Sequence, residues 1–571
     1  MSETVLEIDD LNVTFATDGA SVHAVQNVNL EVRPGEIVAL VGESGSGKTV
    51  TSKAILGLVP SSALVEGALL LQGNDVVQMS GRRLRHMRGV DAAMIFQEPS
   101  SVLNPVYTVG WQIVEGLRAH RKISRKEAKV LAIEAMEKVG IPNAAARFSY
   151  YPHQFSGGQK QRIVIAMALI LGAKLLIADE PTTALDVTVQ AEILDLLRRV
   201  RDDFGASILL ITHNMGVVAD LADRVAVMYR GEIVETGDVA DVFYRPQHAY
   251  TQSLLAAVPR LRFDDFAATD ADERAEAEAK AASADAKEQE WMKDFAATHA
   301  PIVVADGLEI TYPGRLGQPD FVAVDGVSFT MHPREVLGLV GESGSGKTTI
   351  GRAIAGLTAV SGGSLQVFDV EMLHVRERDF RAVRPRVGFV FQDPATSFNP
   401  LLTMAACIAE PLIVHKRARN LEEAMPRVYE LLDWVHLPRE YALRFPHELS
   451  GGQRQRASFA RALALDPELL IADEPTSALD VSVQAQVLEV FKELQAELHF
   501  ATLFITHDLA VVGMLADRIG VLQHGKLVEI GTVAGVLGNP QEEYTQRLLA
   551  SVPVPDPEDQ ARRREALAAV L

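Results

Sequence analysis

A glycine-rich stretch of eight residues carries the clearest chemistry in the sequence, and it occurs twice. Gly42-Glu43-Ser44-Gly45-Ser46-Gly47-Lys48-Thr49 is repeated letter for letter as Gly341-Glu342-Ser343-Gly344-Ser345-Gly346-Lys347-Thr348. Glycines at this spacing let successive backbone N–H groups converge on phosphate oxygens at the amino end of a helix. The lysine would neutralise the outer phosphates and the threonine would ligate Mg²⁺. The repeat therefore predicts two sites for a nucleoside triphosphate.

Two pairs of adjacent acids are the next chemical feature. Asp179-Glu180 and Asp473-Glu474 each close a short apolar run and precede Pro-Thr. Parallel sheets bind ligands at the carboxyl ends of their strands, so both pairs are expected beside phosphate. We expect Asp179 and Asp473 to hold Mg²⁺, directly or through water, and Glu180 and Glu474 to act on the attacking water as general bases. A solvated turn is the ordinary alternative for adjacent acids.

Short apolar runs must position these groups. Runs 37–41 and 336–340 lead into the glycine-rich loops, runs 175–178 and 469–472 end at the acids, and runs 208–211 and 503–505 end at Thr-His. Buried strands that alternate with helical patterns indicate a parallel sheet covered on both faces. The predicted fold class is α/β, with two tandem phosphate-loop domains, each a mostly parallel sheet core with a helical subdomain.

The repeat also sets the predicted domain boundaries. The first domain is expected at 1–260 and the second at 301–571, with a linker at 261–300 that is rich in Ala, Asp, Glu and Lys. We interpret this linker as partly helical and solvated, with an acidic docking segment as the alternative.

Composition limits the partners and cofactors. A formal net charge of −20 and a pI near 5.3 disfavour non-specific binding to nucleic acid or to an anionic membrane, although a local basic patch stays possible. Cys407 is the single cysteine, which excludes an intrachain disulfide and a cysteine-ligated iron–sulfur cluster.

The start Met1-Ser2-Glu3-Thr4 does not look like a signal peptide, and the most apolar stretch, 163–178, is too short to cross a bilayer. These features favour a cytoplasmic protein.

A third repeated motif makes the family resemblance specific. Ser156-Gly157-Gly158-Gln159 recurs as Ser450-Gly451-Gly452-Gln453, and this signature resembles that of ATP-binding cassette (ABC) proteins. The resemblance implies ATP and Mg²⁺ as cofactors. It also implies that Gln97 and Gln392 touch Mg²⁺ and the attacking water, and that His213 and His507 are switch histidines at the γ-phosphate.

The same resemblance implies that the two halves of the chain form the ATP sites together. The loops Thr183-Ala184-Leu185-Asp186 and Ser477-Ala478-Leu479-Asp480 would cross the interface of a head-to-tail pair. Each ATP would then lie between the phosphate loop of one half and the signature of the other. Phe15 and Tyr312 are expected to stack on adenine, with ordinary core packing as the alternative. Every catalytic position is filled in both halves, so both sites are expected to hydrolyse ATP.

Further segments resemble the fused twin-cassette ATPases of dipeptide, oligopeptide and nickel importers. These are 98–105 and 393–400, each ending in Asn-Pro, and the Tyr-Thr-Gln stretches at 250–252 and 544–546. The helical subdomains are expected at about 98–160 and 393–455, and family-type tails at about 240–260 and 535–560. The resemblance also implies a groove that receives a permease helix. Its lining could be formed by Val106, Val109, Trp111 and Ile113, with ordinary core packing as the alternative.

This resemblance implies an ABC importer ATPase at the cytoplasmic face of the cell membrane. It would be bound to two integral membrane permease subunits and served indirectly by an extracytoplasmic substrate-binding protein, with no nucleic acid. Peptides are the expected cargo, and nickel, glutathione or another small solute are alternatives. A twin-cassette ATPase that associates with ribosomes is the remote alternative.

Overall fold

The chain forms two compact units in a computed structural model that describes residues 4–17, 20–183, 185–259, 271–314, 319–477 and 479–570. The first unit comprises Met1–Leu185, Val189–Val258 and Pro553–Arg564; the second comprises Asp186–Thr188, Pro259–Val552 and Glu565–Leu571. Asp186–Thr188 groups with the second unit, Pro553–Arg564 groups with the first, and the stretch from Pro259 through the linker groups with the second. Ala184, Ala478 and linker residues 261–270 lie outside the described residues.

Each unit is built around one six-stranded sheet, in the orders β10-β9-β3-β8-β7-β6 and β16-β17-β18-β13-β19-β20. Neighbouring strands are parallel except for the pairs β9–β10 and β19–β20. The strands of the first unit are β1 Leu6–Thr17, β2 Ala20–Val32, β3 Ile37–Val41, β4 Ala63–Leu71, β5 Asn74–Asp75, β6 Ala92–Ile95, β7 Leu175–Asp179, β8 Ser207–Ile211, β9 Arg224–Tyr229 and β10 Glu232–Asp238. Those of the second are β11 Val303–Tyr312, β12 Phe321–Met331, β13 Val336–Gly341, β14 Gly362–Val367, β15 Val370–Glu371, β16 Val387–Val390, β17 Leu469–Asp473, β18 Ala501–Ile505, β19 Arg518–Gln523 and β20 Lys526–Thr532.

Helices cover these sheets and form the insertions between strands. Those that begin in the first half are α1 Lys48–Ile55, α2 Gly81–Met87, α3 Pro99–Val102, α4 Val109–His120, α5 Arg125–Lys138, α6 Ala144–Arg147, α7 Gly157–Leu169, α8 Val187–Phe204, α9 Met215–Leu221, α10 Val239–Tyr244 and α11 Ala249–Ala256. The later ones are α12 Ala271–Thr298, α13 Lys347–Ile354, α14 Glu377–Phe380, α15 Pro394–Ser397, α16 Met404–Val414, α17 Leu421–Trp434, α18 Gly451–Ala462, α19 Val481–Leu498, α20 Leu509–Leu515, α21 Val533–Gly538, α22 Glu543–Ala550 and α23 Pro557–Val570. Among the described helices, none is both long and apolar enough to span a bilayer.

A second, antiparallel sheet of four strands accompanies each parallel sheet, in the orders β2-β1-β4-β5 and β12-β11-β14-β15. In the first unit, Val38 and Leu40 of β3 pack into the core shared with this sheet, whereas Ala39 and Val41 face the core that includes α9. All five residues of β3 are buried. The strand that delivers the first phosphate loop is therefore held from both faces.

The linker contributes a long helix, α12, which packs on the second unit. The hydroxyl of Thr532 donates a hydrogen bond to the Asp285 carboxylate, and the backbone N–H of Ala534 donates one to Glu288 Oε2 at 3.2 Å. Carboxylates at the amino end of α21 interact favourably with its unpaired N–H groups and its dipole. This part of the linker thus contacts the second cassette through its acidic side chains.

Candidate functional site

The two glycine-rich loops have the same internal geometry. Lys48 Nζ donates hydrogen bonds to the carbonyls of Gly42 and Glu43, both at 2.7 Å, and is only 6% exposed. Lys347 Nζ makes the equivalent bonds at 2.7 and 2.8 Å. Both lysines are the first residues of helices, α1 and α13. The loops therefore wrap the lysine amines at helix amino ends, where a phosphate group would find converging N–H donors.

Glycine is required where each loop leaves its strand. A Cβ on Gly42 would lie 2.1 Å from the carbonyl oxygen of Met228, and one on Gly341 would lie 2.1 Å from that of Leu522. Both glycines also have positive φ, 148° and 144°. No other residue fits this close approach without moving the neighbouring strand.

The expected metal ligands lie together in both units. Thr348 Oγ1 donates a hydrogen bond to Asp473 Oδ1 at 2.7 Å, and the Thr49 hydroxyl is likewise a hydrogen-bonding neighbour of Asp179. Hydroxyl and carboxylate oxygens suit Mg²⁺, which commonly takes one or two carboxylates and completes its shell with water and substrate phosphates. Among the described residues there is no group of three or more His, Cys, Asp or Glu that would form a metal cage of side chains alone. The donor set fits Mg²⁺ bound together with a nucleotide.

Glu180 is the centre of a polar cluster that joins three predicted residues. Gln97 Nε2 donates to Glu180 Oε2 at 2.7 Å, and His213 Nδ1 lies 3.1 Å from Oε1. In the second unit, Gln392 Nε2 donates to Glu474 Oε2 at 3.0 Å, while His507 Nδ1 lies 3.6 Å from that carboxylate. The structure thus brings the glutamine, glutamate and histidine of each cassette together, with the second histidine slightly farther away.

Sharp turns after β7 and β17 direct the adjacent acids into different surroundings. Glu180 and Glu474 have positive φ values of 49° and 45°, a region that ordinary residues rarely adopt. Such strain is of order 1–3 kcal/mol and is typical of functional sites. The turn leaves the aspartate beside the threonine and places the glutamate beside the glutamine and histidine.

The two acids of each pair have pKa values shifted in opposite directions. Burial, with the neighbouring charge of Glu180, raises the pKa of Asp179 to about 6. Burial also acts to raise the pKa of Glu180, but the hydrogen bond and charge of His213, the hydrogen bond of Thr183 and the charge of Lys48 together lower that pKa. Asp473 and Glu474 are shifted in the same two directions. At neutral pH each glutamate is therefore ionised, as a hydrogen-bond acceptor for water requires.

The signature motifs form the amino ends of α7 and α18. Ser156 Oγ accepts from Gln159 N–H while Gln159 Oε1 accepts from Ser156 N–H, both at 3.3 Å, and Ser450 and Gln453 exchange the same two bonds. These capping boxes satisfy orphan N–H groups at helix ends that attract anions. A Cβ on Gly158 would lie 2.4 Å from Val189 Cγ1, so the signature packs tightly on α8.

The remaining predicted residues occupy varied positions. Phe15 is half-buried and packs against the core of the first unit, whereas Tyr312 is exposed at the end of β11. Asp186 belongs to the second compact unit, and Asp480 is the residue before α19.

Of the four expected groove residues, Val109 and Ile113 are core residues, while Val106 and Trp111 are 71% and 42% exposed. Trp111 stacks on Tyr107 at 4.1 Å.

Sequence reasoning missed a tyrosine in each tail that supports the phosphate loop. Tyr250 Oη accepts a hydrogen bond from Glu43 N–H at 3.0 Å, and Tyr544 Oη accepts one from Glu342 N–H at 3.3 Å. The available signal was that both tyrosines open the repeated Tyr-Thr-Gln stretches. Their contact with loops more than two hundred positions earlier leaves no local pattern.

Comparison with known proteins also identifies two ABC cassettes and two importer-type tails along the chain. Residues 25–183 and 324–477 match the ABC transporter family, and residues 234–283 and 528–570 match the C-terminal region of oligopeptide/dipeptide transporters. The glutathione import ATP-binding proteins GsiA of Escherichia coli O157:H7 and K12 are each 45% identical over 579 residues, covering 99% of this chain and 92% of theirs.

Among solved structures, a dimeric bacterial ABC transporter cassette is 30% identical and covers 40% of this chain and 98% of its own, with a TM-score of 0.38. The family assignment rests on the sequence matches, which include both cassettes and both tails. The chain belongs to the ABC transporter family, as a twin-cassette importer ATPase that hydrolyses ATP to drive transport and carries the C-terminal region of oligopeptide/dipeptide transporters.

Proposed function

We propose that this ATPase energises the uptake of a short peptide, with glutathione, itself a tripeptide, as the first cargo to test. The observation that carries the proposal is the 45% identity to glutathione import ATP-binding proteins over 99% of the chain. The match of both tails to the oligopeptide/dipeptide transporter C-terminal region supports the wider peptide class. Nickel and other small solutes, the alternatives from sequence, have no comparable observation in their favour.

The geometry supports a division of labour within each cassette. Lys48 and the loop N–H groups bind the outer phosphates, and Thr49 with Asp179 holds Mg²⁺, which neutralises phosphate charge when bound. Glu180 accepts a hydrogen bond from the attacking water, and Gln97 and His213 orient that carboxylate from either side. Equivalent residues perform these roles in the second cassette.

We further propose that the chain works at the cytoplasmic face of the membrane, with two permease subunits and an extracytoplasmic binding protein. The exposed pair Tyr107 and Trp111 at the start of α4 supports a docking role, because stacked aromatic rings in contact with water are suited to burial against a partner. Val109 and Ile113 support the same helix from the core.

Transport in reconstituted vesicles tests the cargo directly. The chain, its two permeases and its binding protein are placed in proteoliposomes, and ATP-dependent accumulation of labelled glutathione is measured against a dipeptide, an oligopeptide and Ni²⁺. Accumulation of glutathione, suppressed in the Glu180→Gln, Glu474→Gln variant, is the expected result. ATP-driven uptake of Ni²⁺ without any peptide would contradict the proposed cargo class.

A further inference from the structure

The last part of the chain is packed on the first cassette. The chain leaves the second compact unit at Val552 and joins the first over residues 553–564, which we call the C-terminal strap. Tyr244, at the end of α10, donates a hydrogen bond from its hydroxyl to Asp556 Oδ1 at 2.7 Å. The same hydroxyl accepts from Glu558 N–H at 3.2 Å. Burial and the Asp556 contact raise the pKa of Tyr244 to about 12, so the phenol stays a donor at physiological pH.

A second anchor lies at the end of α9. The Asp220 carboxylate, only 8% exposed, accepts hydrogen bonds from Arg198 at 3.0 Å and from Gln560 of the strap at 3.2 Å. Arg564 donates to the Asp220 carbonyl at 3.2 Å. Charge-assisted bonds to a buried acid are among the stronger polar contacts in proteins. Asp220 therefore connects the strap, α8 and α9.

The strap also approaches the other end of α9 closely. A Cβ on Gly216 would lie 2.4 Å from the carbonyl oxygen of Pro553, so that glycine lets the strap lie directly against the helix. Asn214 caps α9, accepting from the N–H groups of Gly216 and Val217. Asn214 directly follows His213, whose ring lies 3.1 Å from Glu180. A shift of this short helix would move the histidine.

The second cassette offers an internal comparison, because it lacks the receiving residues. When the repeats are aligned on their shared Thr-His pairs, the first cassette's Gly216, Asp220, Tyr244 and Arg198 correspond to Ala510, Met514, Gly538 and Lys492. The replacements remove the carboxylate, the hydroxyl and the space for a close backbone approach. The strap is therefore matched to one cassette only.

We propose that the C-terminal strap holds α9, and with it His213, in position in the first cassette, with Asp220 and Tyr244 as the positioning residues that receive it. This role goes beyond ATP hydrolysis and does not depend on the cargo. Neither residue touches the reacting groups, so both act through α9.

Hydrogen exchange in the full-length protein tests the proposal. In the Tyr244→Phe, Asp220→Asn variant, the α9 amides are expected to exchange about tenfold faster, because local opening is no longer opposed by the strap. The α20 amides should exchange as in the unmodified protein. The kcat for ATP should fall about three- to tenfold while KM changes less than twofold, since the phosphate loop is untouched.

A matched control removes the same groups elsewhere. Tyr429→Phe with Asp433→Asn takes one hydroxyl and one carboxylate from the second cassette. It should change neither the hydrogen exchange of the α9 and α20 amides nor the kcat for ATP. If the first variant folds poorly, Asp556→Asn with Arg564→Ala releases the strap from its own side and should give the same pattern. Unchanged exchange in α9, or equal acceleration in α9 and α20, would overturn the proposal.

Discussion

At the scale of single residues, each cassette depends on side chains that share one small space yet carry different charge. Asp179 has its pKa raised to about 6, whereas the pKa of Glu180 is lowered because His213 and Thr183 hydrogen-bond to it. The predicted loops, acids and histidines were recognisable because each sits in a short contiguous motif. Their assigned roles remain predictions.

The tail tyrosines give a prediction at this scale. Tyr250→Phe with Tyr544→Phe leaves the N–H groups of Glu43 and Glu342 without their acceptor. Loss of a neutral hydrogen bond of about 1 kcal/mol should weaken ATP binding roughly fivefold per site. Nucleotide titration measures this effect. Tyr229→Phe, which keeps the ring stacked on Tyr250, is the control and should bind ATP normally. Equal ATP affinity in the unmodified protein, the double tyrosine variant and the Tyr229→Phe control would contradict a supporting role for the tail.

At the scale of elements, sequence patterns predicted more of the parallel sheets than of their surroundings. β3, β7 and β8 are fully buried and apolar except for Asp179 at the end of β7 and Ser207 at the start of β8, so their positions followed from the short apolar runs. The antiparallel sheets were not predicted, because only two of the nine residues of β4 are buried and its partner β1 lies far away in sequence. Strand pairing over such distances leaves no local pattern.

The close packing of the signature helix on α8 gives a prediction for an element. Gly158→Ala would place a methyl group 2.4 Å from Val189 Cγ1, which costs about 1–3 kcal/mol by overpacking. Thermal or denaturant unfolding of the first unit should show this loss. Val189→Ala in the same protein should restore much of the stability. Gly157→Ala, where the nearest side-chain atom is 3.9 Å away, should leave the free energy of unfolding almost unchanged. Equal losses in the two alanine variants would refute the packing argument.

The linker helix gives a second prediction for an element. Asp285→Ala with Glu288→Ala removes the carboxylates that accept from Thr532 and Ala534 at the start of α21. Loss of helix-capping contacts should destabilise the second unit by about 1 kcal/mol. Denaturant unfolding checks this, with Glu290→Ala on the same helix as the control. No difference between the two variants would favour a linker that acts only as a spacer.

At the scale of the whole molecule, the predicted fold class and family are confirmed by the sheets and by the matches in both halves. The compact units were harder to predict. Asp186–Thr188 and Pro553–Arg564 join the unit built mostly from the other half, and such exchanges depend on distant contacts rather than composition. The family resemblance further predicts that each ATP site needs residues from both halves.

That requirement leads to a prediction for the separated halves. Residues 1–260 and 301–571, purified alone, should each bind ATP but hydrolyse it at least about a hundredfold more slowly than the intact chain, because the signature donors act only from the other half. Steady-state phosphate release measures this. Full activity in either isolated half would show that its site is complete by itself.

The central claim is that two glutamates, one per cassette, carry ATP hydrolysis, and single-turnover hydrolysis tests it most directly. Glu180→Gln with Glu474→Gln preserves the hydrogen-bonding shape but removes the ionised acceptor for water. We expect ATP affinity to stay close to that of the unmodified protein while hydrolysis falls by about a hundredfold or more. Hydrolysis at the normal rate in this double variant would contradict the account.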